Sequence, residues 1–183
     1  MAEQLEIVDV RVGAPRAARF APSQQHLDVA IEVRNNSRNT LHAIASVRSL
    51  DYDSATQTLF VGLSEPEPKP EFRPSNFIAP HTKAIPPKQS ETIEVSVPSV
   101  IHKLLPSGKL GMGVETLDVS GVHNVRCEVS FDTTPFYPKQ ADSPEAMSRA
   151  LRSWGQRTEK TMERTAGGET SDSTKRPRKS RRE

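Results

Sequence analysis

His26–Leu63, HLDVAIEVRNNSRNTLHAIASVRSLDYDSATQTLFVGL, is the stretch whose reading decides the fold class. Leu27, Val29, Ile31 and Val33 alternate strictly with Asp28, Ala30, Glu32 and Arg34, the period of a strand with one buried face. Asn35-Asn36-Ser37 follows. These residue types tolerate left-handed backbone and bond their own main chain, so a reversal is expected there. Leu41, Ala43, Ala45 and Val47 resume the alternation, and a second turn around Asp53-Ser54-Ala55 leads into Leu59, Val61 and Leu63. The stretch predicts three consecutive antiparallel strands whose shared apolar face needs a second layer to cover it.

Working outward, Leu5–Val12 reads as a strand with a shift of parity: Leu5 and Ile7 first, then Val8, Val10 and Val12. A bulge, or a passage from one sheet to its partner, produces such a shift. Gly13–Gln25, with Pro15 and Pro22, reads as a loop. Residues 65–90 carry seven prolines and predict a long solvated connection, mobile over Glu65–Ser75, with Phe77 and Ile78 as an anchor or short edge strand. Pro66 to Pro74 contains no P-x-x-P, so nothing there favours a proline-reading partner over a plain loop. Ile93, Val95 and Val97 form the next strand, Val100–Leu105 a short helical turn, and Leu110, Met112 and Val114 another strand. Val125, Cys127, Val129 and Phe131 make the last strand, closed by Pro135 and Pro138.

About seven short, evenly spaced strands with no long helix between them predict an all-β sandwich over residues 1–140. The spacing resembles immunoglobulin-like and fibronectin III-like sandwiches over residues 5–135. The resemblance is one of pattern, since Cys127 is the sole cysteine and the one tryptophan, Trp154, lies outside the domain. Residues 141–168 predict an amphipathic helix and linker. Ser143-Pro144-Glu145 is a helix start, Met147, Leu151, Trp154 and Thr158 share a face, and Gly167-Gly168 ends it. Residues 169–183 are small, polar or charged and predict a disordered basic tail.

Charge follows the same division. Residues 1–140 hold 14 Lys and Arg against 16 Asp and Glu, and residues 141–183 hold 11 against 7, so a near-neutral body carries a basic end. One cysteine excludes an internal disulfide. The first residues, Met1-Ala2-Glu3-Gln4, lack the features of a signal peptide, and no run is long enough for an apolar membrane span. The expectation is a cytoplasmic protein, or a nuclear one if the cell is eukaryotic.

No motif specifies a reaction. Asp51-Tyr52-Asp53 would place two carboxylates on one strand face, but further oxygen ligands are missing at any metal-loop spacing, and aspartates opening a hairpin are the ordinary explanation. Cys127 lies between Val125 and Val129 as a small core residue, and His123 is about 13 Å away along a strand, too far to share an ion with it. Gly108-Lys109-Leu110-Gly111-Met112-Gly113 is neither a P-loop nor a dinucleotide fingerprint. No catalytic, cofactor or metal residue is assigned. The expected function is a non-catalytic protein-interaction or assembly module, with Met147, Leu151 and Trp154 as partner-binding residues. Alternatively, Lys175, Arg176, Arg178, Lys179, Arg181 and Arg182 hold nucleic acid or another polyanion, through phosphates because no aromatic lies among them. An enzyme with a loop-borne site is the third reading.

Overall fold

The computed structural model describes residues 4–18, 21–68, 76–107, 111–137 and 143–164. In chain order the elements are β1 (Leu5–Val12), β2 (Arg16–Ala18), β3 (Ala21–Asn35), β4 (Leu41–Ile44), β5 (Ser49–Asp53) and β6 (Thr58–Leu63). There follow β7 (Thr82–Ile85), β8 (Ser90–Pro98), β9 (Val100–Ser107), β10 (Gly111–Asp118), β11 (Asn124–Asp132), α1 (Pro144–Arg152) and β12 (Gln156–Glu163). The described residues thus hold twelve strands rather than about seven: the runs read as loop or helical turn at Arg16, Thr82 and Val100, the unassigned Ser49–Asp53, and Gln156–Glu163, expected to continue the helix, are strands as well.

β3 is the spine of the first sheet. Its alternating Leu27, Val29, Ile31 and Val33 are fully buried. It pairs with β1 and then β2 along one edge and with β8 along the other, all antiparallel. The parity shift in β1 is a bulge. Register slips between Ile7 and Asp9, so Leu5, Ile7, Val10 and Val12 all stay on the core face. The expected loop at Gly13–Gln25 is instead β2 with the start of β3, and Pro22 is tolerated because β3 has a partner on one side only at that level.

The second sheet corrects the pairing expected of the opening stretch. β4 does not pair with β3. It pairs with β7 and with the end of β11, in the opposite layer. Alternation is satisfied by either arrangement, since it fixes which face is apolar and not which strand lies alongside. Asn35-Asn36-Ser37 does bond its own main chain as expected, but as an arch between sheets. The buried Asn35 amide donates to the carbonyls of Asn39 (2.7 Å) and Ile85 (2.9 Å), and its carbonyl accepts from the Ser37 N–H. β5 and β6 form the expected hairpin, with Asp53 accepting from the Ala55 N–H and the Thr56 hydroxyl. β6 then lies parallel to β11, Val61 opposite Cys127, and β12 pairs antiparallel on the far side of β11.

Inward residues of both sheets make one continuous core. Its two open sides are each bridged by a lysine of the second sheet. Lys160 of β12 donates to the carbonyls of Ile7 and Val8 at the β1 bulge, and Lys83 of β7 donates to the Thr92 carbonyl of β8. Both satisfy strand-edge oxygens that would otherwise face a gap.

α1 starts where expected. The Ser143 hydroxyl accepts from the Ala146 N–H, and Pro144 opens the first turn. It ends twelve residues or more before Gly167, because Gly155 takes φ +70° and turns the chain into β12. The Gly167-Gly168 stop, the 169–183 tail and residues 69–75 of the proline-rich connection lie outside the described residues. Phe77 packs against the core while Ile78 is exposed, and the strand of that region is β7.

Candidate interaction surface

The helix stripe rests on its own domain. Leu151 is 1% exposed within the core, and Met147 and Trp154 are half-buried. Trp154 stands edge-to-face against Phe136, centroids 6.0 Å apart. A polar network locks α1 down from the other side. Glu65 and Arg48 pair at 2.6 Å with both side chains largely buried. Ser148 of α1 donates its hydroxyl to Glu65 at 2.7 Å, and Arg152 donates to the Ser148 hydroxyl. Arg157 reaches the Glu65 carbonyl and the Glu128 carboxylate, which also takes a hydrogen bond from Ser64. Arg48 spends its remaining donors on the Ile78 carbonyl and lies over the Phe77 ring. Each member of this cluster is engaged in holding α1 and the Ser64–Pro68 segment to the second sheet. The sequence hides the cluster, because Glu65 sits in a proline-rich run that reads as solvated chain.

The other singled-out residues separate in space. Cys127 is fully buried between the sheets, and burial pushes its thiol up to about 12. Asp53 is held below the usual carboxylate range by the Thr56 hydroxyl and the Ala55 N–H, as a turn aspartate. Asp51 instead pairs with Lys103 of β9 at 2.9 Å and holds that ammonium above its ordinary value. Gly111 and Gly113 lie in β10 and precede no helix. Among the described residues no three His, Cys, Asp or Glu side chains converge as metal ligands, and no helix is long and apolar enough to cross a membrane. The six basic residues from Lys175 to Arg182 lie outside the described residues.

What the sequence missed is the ribbon. β9 and β10 form a two-stranded antiparallel arm, joined to the body at its base by the Ser99 N–H on the Gln25 carbonyl and the Val119 N–H on the Ser99 carbonyl. Val100 is 40% exposed, Leu105 39% and Val114 60%, so three of the five large exposed apolar side chains among the described residues stand on it. By register Val100 and Val114 share one face of the ribbon and Leu105 stands on the other, and a two-stranded ribbon is marginal alone in water. Val114 alternates like a core residue in the sequence and Val100 reads as part of a helical turn; neither signal shows that both stand uncovered.

Comparison with protein-family models, with curated proteins and with solved structures gave no match.

Proposed function

We propose that this chain is a non-catalytic interaction module, an immunoglobulin-like sandwich that offers its β9–β10 ribbon to a protein partner inside the cell. The exposed Val100, Leu105 and Val114 on one arm carry the reading. The order β1–β3–β8 and the β11–β12 pair favour the immunoglobulin comparison, while the parallel β6–β11 pairing stands apart from it. The non-catalytic part draws on the densest polar cluster, whose two carboxylates are engaged by arginine and serine in holding α1. Met147, Leu151 and Trp154 would serve a partner only if α1 undocked, which the Glu65 network opposes.

The six charges in eight residues from Lys175 to Arg182 favour a second reading, polyanion binding by the tail. Affinity capture with the full chain at low and high salt separates the two. Val114→Glu alters an exposed position and leaves thermal stability within about 0.5 kcal/mol. It should abolish capture at both salt concentrations, whereas Trp154→Ala should act only by loosening the fold. Capture unaffected by Val114→Glu but lost on neutralising the tail or raising salt would replace the ribbon reading by the polyanion one.

A further inference from the structure

Most of the open strand edges in this chain are blunted. Lys160 spans the gap between β12 and β1, and Lys83 spans the one between β7 and β8. Lys103 of β9 pairs with Asp51 of β5, β9 also carries Pro106, and β2 is only three residues long. Lysine, proline and shortness are devices that keep an edge from accepting another strand. β10 has none of them. Its eight residues, Gly111–Asp118, include no Lys, Arg or Pro, and among the described residues it pairs with β9 alone.

The phase of that free edge follows from its base. The Val119 N–H turns toward β9, to the Ser99 carbonyl, and the β9–β10 register runs without a slip from Asp118 to Gly111. By alternation the main-chain groups of Met112, Val114, Thr116 and Asp118 point away from β9. Val114, the most exposed apolar side chain of the ribbon, stands in the middle of this row.

We propose that β10 pairs with β10 of a second copy of this chain, antiparallel about a two-fold axis at Val114, so that two ribbons make one four-stranded sheet. The inference rests on the ribbon reading and names its partner. In this register the strand is self-complementary. Val114 meets Val114 of the second copy as a hydrogen-bonded pair, and Met112 and Thr116 meet each other on either side, giving about six main-chain hydrogen bonds. Glu115 falls opposite Gly113, which sets neither charge nor side chain against it. Neighbouring two-fold registers are worse. An axis at Glu115 brings two carboxylates face to face, and one at Thr116 sets Asp118 beside Val114. An axis at Gly113 pairs Thr116 beyond the start of β10. A contact between identical patches is the commonest way for a chain to meet its own copy. A ribbon that is marginal as two strands thereby gains a third and a fourth.

Sedimentation velocity of the full chain across about 1–100 µM tests it, the range in which small transient interfaces dissociate. The native chain should pass from monomer to dimer as concentration rises. Val114→Lys and Val114→Glu, both at an exposed position, should each weaken association at least about tenfold, because like charges then meet across the axis. An equimolar mixture of the two variants should recover the dimer, since opposite charges then meet at the axis. A native chain that stays monomeric throughout overturns the second copy as partner. Loss of capture by Val114→Glu would still uphold the ribbon reading in that case, so the two failures are distinct. Dimers that persist in both single variants, or a mixture that stays monomeric, also overturn the proposal.

Discussion

Replacing Glu65 by alanine removes the centre of the network that holds α1. The Arg48 and Glu65 side chains are 14% and 10% exposed, so their pair is scarcely screened by water. Taking away one partner of such a pair costs about 3–5 kcal/mol, chiefly through the charge left behind. Arg48 keeps the Ile78 carbonyl and the Phe77 face, which places the loss near the lower end, about 3 kcal/mol. For a domain of this size that lowers Tm by about 6–12 °C. Glu65→Gln keeps one carbonyl oxygen for Arg48 and offers its amide N–H to the Ser148 hydroxyl, and should cost only about 1–2 kcal/mol. Trp154 is the only tryptophan and lies just beyond α1, so its fluorescence in a urea titration reports the latch while far-ultraviolet circular dichroism reports the sheets. The expected result is a fluorescence transition that moves to lower urea in Glu65→Ala than in Glu65→Gln. An alanine variant within about 0.5 kcal/mol of the native chain would refute the account of the network.

Two further outcomes follow from single positions. Gly155→Ala should cost more than about 2 kcal/mol, because φ +70° disfavours a side chain and the new Cβ would meet the Phe131 carbonyl carbon at 2.8 Å; Gly121→Ala, with nothing within 4 Å, should be near neutral in the same thermal melts. Cys127 makes stability pH-dependent in alkali: its native thiol lies near 12, so the unfolded thiol ionises first, and the contribution present below about pH 8.5 falls by about 1.4 kcal/mol per pH unit until the native value is reached. Urea melts at rising pH should show the native chain losing its advantage over Cys127→Ala, and parallel curves would contradict the buried-thiol argument.

Face and local conformation were legible in the sequence, and neighbours were not. Leu27 to Val33 announced a half-buried strand, Val8 announced a bulge, and Ser143-Pro144 announced a helix start, because each is a local signal. The partner of β3 was misread because alternation is blind to which layer the next strand joins, so β4 was assigned beside β3 when it lies across the core. β12 escaped because its inward positions are Thr158, Lys160 and Met162, a polar pair and one apolar residue, with Lys160 spending its charge on the β1 bulge. Of the expected helix stripe only Met147 and Leu151 lie on α1, with Trp154 just beyond it and Thr158 in β12, and spacing gives no information on whether the covering surface is the chain's own. The ribbon was illegible because Val100–Leu105 does not alternate and reads as a helical turn, while Val114 looks like core until the fold leaves it uncovered.

Photocrosslinking in the cell most directly tests the claim that the ribbon is the contact surface. A photoreactive phenylalanine analogue is placed in the full chain at Val114 on β10, at Met147 on α1, and at Tyr137, an exposed control 75% open to solvent. The account predicts one discrete adduct from position 114 and none of that mass from 147 or 137. A discrete adduct from position 147 alone would contradict it, placing the contact on the helix stripe and requiring the Glu65 latch to open for binding.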